Sequence, residues 1–496
     1  MTTVSSRTKP AGHPRGSAVA GWWRDRSLDV SCGVGISLVV SGVAFLLSRT
    51  SIDNYDGLIM GQVATGVVDR HSIIVLFDAY HLNTPHSFYG IGMSLLMIPG
   101  ILVAKVLGMS EAAGIMLTNS WLLGLLTGAA FVWCRLRDCS LKVSAVVSLV
   151  VGLGAGMLPF ASTGFAEVAL ATATIVGMIG LSATSLRWAW GPLVIGAAAG
   201  AAIVVRDDSA LLVAPWLIGG GLLLGPSGWR LGVLVRMVLG GFPFLALWTW
   251  YNAARYGLPW NFGYGGVLRF NHSFLAGVYG LVLSPGKGLI LYVPVVVVTV
   301  CGLPAAWRPE RVITAVAVLL VLSRIVFFAP YWGWYAGGGF GPRYVLPAVP
   351  ALGIGLMEVA RRFRQSGLVL QFVTVALVGL SIFIGLVGGA VDYQADSLYT
   401  ALGSEAAFHK PTTTTHEFLT LYEAKLSQSI VDHHMFAWSE FPITGESSDF
   451  FQRRDIVSDA LKRPSDNVRG IGSVCLVALG SIALFTGHRR SRRSIT

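Results

Sequence analysis

Charge is scarce in this chain of 496 residues: 12% of positions are Asp, Glu, Lys or Arg, against 54% hydrophobic. A soluble domain carries roughly 25% charged residues, so a water-soluble globular protein is excluded. Cysteine is scarce too. Cys32, Cys134, Cys139, Cys301 and Cys475 all fall in apolar runs or in one short basic turn, which excludes a disulfide framework. Also missing from the polar first 28 residues is a cleavage site of small residues behind a short apolar core, so the first apolar run reads as an uncleaved anchor. Acids are fewer than bases, 25 against 36, giving a net charge of +11. Nucleic-acid binding is the reflex explanation, but the arginines sit in short segments between apolar runs, where membrane proteins collect them for topological reasons. Nucleic acid is therefore not expected as a partner.

What the chain has is apolar length. Mean hydropathy is +0.66, and runs long enough to cross a bilayer lie near 29–48, 112–133, 143–160, 167–186, 190–205, 209–224, 232–251, 289–306, 312–329, 343–359, 367–390 and 469–487. Twelve spans of about 20 residues would use about 240 positions. A further run, 88–108, is broken by Pro99 and Lys105 and reads either as a span or as a helix along the interface. The distribution of basic residues decides between these readings. If 88–108 does not cross, Arg135, Arg137, Lys142, Arg187, Arg230, Arg308, Arg311 and Arg361 to Arg364 fall on the same side as the basic termini, as the positive-inside rule demands.

The expected architecture is therefore an all-α integral membrane bundle of about 12 helices (11–13), multi-pass, with both termini cytoplasmic. Residues 1–28 form a basic cytoplasmic segment and 29–390 the transmembrane module, with a first outer loop at 49–111. An acidic extracytoplasmic segment follows at 391–468, then a last span at 469–487 and a basic cytoplasmic tail at 488–496. The acidic segment carries 12 acids and 6 bases, consistent with an outside location.

Candidate chemistry gathers at the outer ends of the spans. The first outer loop packs Asp53, Asp56, Asp69 and Asp78 directly after the first span. One acid is explained by capping a short juxtamembrane helix; four are not. Asp56 is the preferred site residue with Asp53 as its competitor, and Asp69 and Asp78 read as surface. Tyr80, His81 and His86, later in the loop, are candidates for acceptor or sugar binding. Glu167 sits at the outer mouth of the fourth span, on the same face as Asp56. Arg206, Asp207 and Asp208 stand between two spans, where a self-neutralising pair is as good an explanation as a site. The strings NAARYGLPWNFGYGG (252–266) and LSPGKGLILY (283–292) offer Tyr264 and Lys287. The latter string lacks the spacing of a nucleotide-binding P-loop, but Lys287 suits a phosphate. PYWGWYAGGGFGPRYVLPAVP (330–350) offers Trp332, Trp334 and Arg343, and a charge entering a span needs a partner or water. No His or Cys constellation implies a metal.

These strings resemble the GT-C superfamily of polytopic glycosyltransferases. It includes the protein O-mannosyltransferases, the lipid A aminoarabinose transferases and the actinobacterial wall arabinosyl- and mannosyltransferases. The resemblance covers about 28–390 and rests on order: one span, an acidic outer loop, then a second acid at the next outer turn. It implies a GT-C-like fold with juxtamembrane helices. It also implies inverting transfer of a hexose or pentose from a polyprenyl-phosphate donor to a glycan, lipid or protein acceptor in cell-envelope synthesis, at the extracytoplasmic face. Asp56, Asp53 and Glu167 would be catalytic, and Lys287, Arg343 and Arg206 would hold the donor phosphate. No cofactor is required, and a divalent cation is admitted but not implied. On this expectation Asp56→Asn lowers turnover by about 10²–10⁴ and changes donor binding little. The rival is a polytopic transporter or lipid flippase, for which charges at the midplane and two similar halves are the signs; Arg324 alone sits mid-span.

Overall fold

The computed structural model describes residues 27–48, 54–75, 85–161, 163–226, 228, 230–263, 269–284, 286–336, 339–390 and 472–483. The acidic 391–468 stretch, both termini, Asp53, Tyr80, His81 and Tyr264 lie outside the described residues. What is described is helical, with a single isolated bridge between Ile74 and His86 and no strand. The principal helices are α1 (Ser27–Leu47), α2 (Tyr55–Thr65), α3 (Ile91–Val106), α4 (Glu111–Leu136), α5 (Leu141–Gly154), α6 (Glu167–Ser185) and α7 (Gly191–Val205). They continue with α8 (Ala214–Leu224), α9 (Arg230–Tyr256), α10 (Phe274–Val282), α11 (Val295–Trp307), α12 (Arg311–Phe328), α13 (Gly353–Arg362), α14 (Leu368–Ala390) and α15 (Gly472–Ala483). By length and composition, six described helices are apolar enough to cross a membrane. All five cysteines carry free thiols.

Helices in lipid have little hydrophobic reason to associate, so they meet through small residues and polar contacts. At the α7–α9 crossing, a Cβ on Gly196 would lie 1.8 Å from the Met237 carbonyl oxygen, and one on Gly240 would lie 2.0 Å from that of Leu193. Only hydrogen fits there. Directions follow from contacts at helix ends. Asp29 at the start of α1 accepts from Arg135 at the end of α4 at 3.0 Å, so these two run antiparallel. Asn119 in the early part of α4 holds the turn before α6, and Trp133 near its end donates to Ser182 near the end of α6 at 3.0 Å. Those two run parallel. Arg206 after α7 meets Glu167 at the start of α6, so α7 runs back.

Helix α3 is placed by the same logic. It starts against the end of α7, where a Cβ on Gly92 would lie 2.8 Å from the Val204 carbonyl carbon. It ends against the start of α4, where Gly100 abuts Gly114 and Lys105 lies 3.4 Å from Glu111. The end of α7 and the start of α4 belong to one end of the bundle, so α3 lies across that end. At the opposite end Arg137 pairs with Glu310 at 2.5 Å and Arg361 donates to the Arg137 carbonyl, which gathers three of the basic turns.

One expected span has a mixed helical form. Residues 343–359 are not a continuous α-helix: Leu346–Leu352 forms a 3-10 helix that passes into α13. Pro347 and Pro350 lack the N–H that an α-helical ladder needs, and the tighter turn accommodates them.

Candidate active site

Helix α2 begins with a cap. Asn54 Oδ1 accepts from the Gly57 amide at 2.6 Å, so neither Asp53 nor Asp56 is needed for that task. Gly57 then seats on Gly164, where a Cβ on either glycine would lie within 3.0 Å of the other's Cα. The Gly164 turn is itself pinned by the buried Asn119 amide, which donates to the Thr163 and Phe165 carbonyls at 2.6 Å each. Two glycines and an asparagine thus bring the first turn of α2 to the first turn of α6. Asp56 and Glu167 share that junction.

Arg343 joins them. Its Nη2 donates to Asp56 Oδ2, its Nε donates to Glu167 Oε1 at 2.6 Å, and its Cζ lies 3.8 Å from the Phe165 ring centroid. Asp56 Oδ1 accepts from the Tyr89 hydroxyl at 2.6 Å. Glu167 Oε1 also accepts from Arg206 Nη1 at 3.1 Å, and Arg206 Nη2 donates to Asp208 at 3.1 Å. Arg324 lies 3.9 Å from Asp208 and donates to the Tyr344 carbonyl at 2.9 Å. Three carboxylates and three guanidiniums alternate in one chain, an arrangement that offsets the cost of burying them. Exposure differs along it: Glu167 is 0% exposed, Arg343 12% and Asp56 14%. Arg206 at 18% and Asp208 at 15% are as open, so the chain is reachable on either side of the closed Glu167. Glu167 Oε2 and two nitrogens of Arg324 make no hydrogen bond among the described residues.

The turn that delivers Arg343 is braced from behind. Gly341 has φ +55°, a left-handed conformation suited to glycine, and Gly339 leaves room for the Arg343 stem. Lys287 is buried, with its ammonium donating to the Gly339 carbonyl and its amide donating to Ser284 Oγ at 3.1 Å. Tyr89 is held likewise: Arg255 Nη1 donates to the Ser87 and Tyr89 carbonyls at 2.5 and 3.0 Å and its Cζ lies 4.1 Å from the Tyr251 ring centroid. Asp207 faces away from the chain toward α9 and accepts from Trp248 Nε1 at 2.5 Å. Burial pushes its carboxyl up to about 6, against the opposing pull of the Trp248 hydrogen bond.

Of the residues singled out in the sequence, Asp56, Glu167, Arg206 and Arg343 converge in this chain. Lys287 stands one turn behind it. His86 lies beside Tyr256, with ring centroids 6.5 Å apart, and burial lowers the affinity of its imidazole for a proton. Trp334 stacks on His272 with centroids 5.8 Å apart, and the Trp332 amide donates to the Arg269 carbonyl at 3.0 Å. Sequence reading missed Tyr89 and Asn119, which carry no signal of their own, and left Arg324 without a partner. Among the described residues no group of three or more His, Cys, Asp or Glu is arranged to hold a metal ion.

No family model matches the chain, and no curated protein sequence does. Solved structures do. ArnT from Cupriavidus metallidurans in the apo state is 17% identical, over 95% of this chain and 76% of that one, with a TM-score of 0.49. The same protein bound to undecaprenyl phosphate is 16% identical, over 94% and 76%, also at 0.49. The oligosaccharyltransferase AglB from Archaeoglobus fulgidus, in complex with an inhibitory peptide and a dolichol-phosphate, is 10% identical at a TM-score of 0.43; the match covers 90% of this chain and 59% of AglB.

Proposed function

We propose that this chain is a membrane glycosyltransferase. It moves a sugar from a polyprenyl-phosphate donor to the hydroxyl of a glycan, lipid or protein acceptor, with inversion, at the extracytoplasmic face. The observation that carries this reading is the convergence of Asp56, Arg343, Glu167 and Arg206 at one end of an apolar bundle. A lipid phosphate-sugar needs an apolar wall for its chain, a cation for its phosphate and a base for the incoming hydroxyl. In this reading Arg343 is the cation and Asp56 the base.

In this reading the acceptor oxygen attacks the anomeric carbon as the bond to the phosphate oxygen breaks, through an oxocarbenium-like transition state. Asp56 takes the acceptor proton. The departing phosphate gains one negative charge, and Arg343 faces the place where that charge grows. Arg206 serves the phosphate through Glu167, which fixes the Nε edge of Arg343, and Lys287 serves it through the turn that carries Arg343. His86, Trp332 and the loop residues Tyr80, His81 and Tyr264 are candidates for the acceptor side.

The test uses the full chain in liposomes with radiolabelled polyprenyl-phosphate mannose and arabinose donors and an extract of envelope glycans and lipids. Expected are equal amounts of free polyprenyl phosphate and glycosylated product, both lost in Asp56→Asn. Movement of intact donor across the bilayer without its consumption would overturn the reading in favour of a transporter.

A further inference from the structure

The turn between α4 and α5 carries two cysteines that the site does not use. Helix α4 ends in a Schellman motif. The Cys139 amide donates to the Cys134 carbonyl at 3.1 Å, the Asp138 amide donates to the Arg135 carbonyl at 3.2 Å, and Asp138 has φ +55°. This motif sets the third residue from the helix end against the second residue past its cap. Here both are cysteines, both are buried, and their thiols hydrogen-bond to each other. With 3.1 Å between the backbone atoms, the two α-carbons lie no more than about 7 Å apart, within the span of a disulfide. Arg135 holds the turn in place, donating to the Cys139 carbonyl and to Asp29 of α1 at 3.0 Å.

We propose that Cys134 and Cys139 form a peroxide-responsive dithiol, a modification site that closes reversibly to a disulfide across the end of α4. Cys139 is the attacking residue. The hydrogen bond from Cys134 and the charge of Arg361 bring its thiol down to about 7, against burial and the Glu358 carboxylate. The thiolate is the nucleophile. It attacks one oxygen of hydrogen peroxide, the O–O bond breaks, and hydroxide leaves as a sulfenic acid forms on Cys139. Cys134 then gives up its proton, attacks the Cys139 sulfur and expels the second hydroxide. Two thiols and one peroxide thus become one disulfide and two water molecules. Cys139 is 1% exposed, so the oxidant has to be as small as peroxide. On the expected topology this turn faces the cytoplasm, where disulfides are transient and redox-sensing. Arg361 near the end of α13 also donates to Glu358 and to the Arg137 carbonyl, so bridging removes one of its partners where the basic turns gather.

The test uses the full-length protein in nanodiscs, treated with hydrogen peroxide at pH 7, alkylated under denaturing conditions and digested for mass spectrometry. Expected is a Cys134–Cys139 link that dithiothreitol reverses and that forms before any change at Cys32, Cys301 or Cys475. Cys134→Ser should stop at a sulfenic acid on Cys139, trapped by dimedone. Arg361→Gln should slow bridging about threefold, because the loss of thiolate outweighs the greater nucleophilicity of each one that remains. Asp138→Gly suits the left-handed turn and should bridge as fast as the unmodified chain. Asp138→Val disfavours that conformation and should bridge more slowly. Cysteines 134 and 139 that stay reduced while Cys301 or Cys475 oxidises would overturn the proposal, as would oxidation of Cys139 without a link. Equal rates in Asp138→Val and the unmodified chain would also overturn it, since the turn would not be what joins the thiols. The readout involves no sugar transfer, so the proposed function stands or falls separately.

Discussion

Arg343 and Glu167 stand 176 residues apart in the chain, and the Nε of one lies 2.6 Å from the Oε1 of the other. That contact joins the turn before the 3-10 helix to the first turn of α6. It also gives a fully buried carboxylate its counter-charge, since burial of an unpaired ion costs several kcal/mol. Glu167 accepts from Arg206 as well, so it holds two cations at once.

Glu167→Gln should therefore lose stability more than a surface substitution does. It keeps the shape but leaves Arg343 and Arg206 undercompensated, at a cost of about 3–5 kcal/mol for a broken buried pair. Thermal unfolding in detergent measures it. A loss of less than about 1 kcal/mol, the range of exposed pairs, would mean that the pair is solvated and that Glu167 is no anchor.

Arg343→Lys should keep charge and most stability yet lose transfer, because a lysine cannot hold Glu167 and a phosphate through separate nitrogens of a fixed fork. Arg343→Ala should lose both. Melting temperature and transfer from a polyprenyl-phosphate sugar are read side by side. Full turnover in Arg343→Lys would show that a point charge is enough.

Stability should fall as pH rises from about 4 to about 6. Burial raises the Asp207 carboxyl to about 6 against roughly 3.9 in an unfolded chain, so the folded state binds the proton more tightly. That contribution is fully present below the unfolded value and is lost as pH climbs through the folded one. Asp207→Asn should flatten this part of the melting-temperature profile and raise the melting temperature at pH 7. An unaltered profile would remove the assignment.

Helix α3 lies across one end of the bundle, so its two flanks should face the same compartment. In a cysteine-free background, His71→Cys and Leu107→Cys, both at exposed positions, should label with an impermeant maleimide from one side and Lys142→Cys from the other. Labelling of positions 71 and 107 from opposite sides would make α3 a span and move every later helix to the reverse orientation.

Much of this protein is written locally. The scarcity of charge, the apolar runs and the arginines between them set a helical membrane chain without reference to any tertiary contact, because the bilayer forces each span to satisfy its own backbone. The acids that follow the first apolar run and Glu167 were visible as charges at the ends of apolar runs, and Arg343 as a charge entering one. Which acid meets which arginine was not visible. Asp56 reaches Arg343 only because Asn54 takes the capping role, Gly57 and Gly164 let two helix starts touch, and Asn119 pins the intervening turn. Lys287 carries the charge expected of a phosphate ligand, and its ammonium also donates to the Gly339 carbonyl, a contact that nothing in its own segment announces. The run at 343–359 is apolar enough for a span, but two prolines turn its first half into a 3-10 helix. Hydropathy is a property of each segment and is fixed by composition. Pairing between segments depends on close approach, and that is decided by a few small or polar residues whose effect appears only when distant helices are brought together.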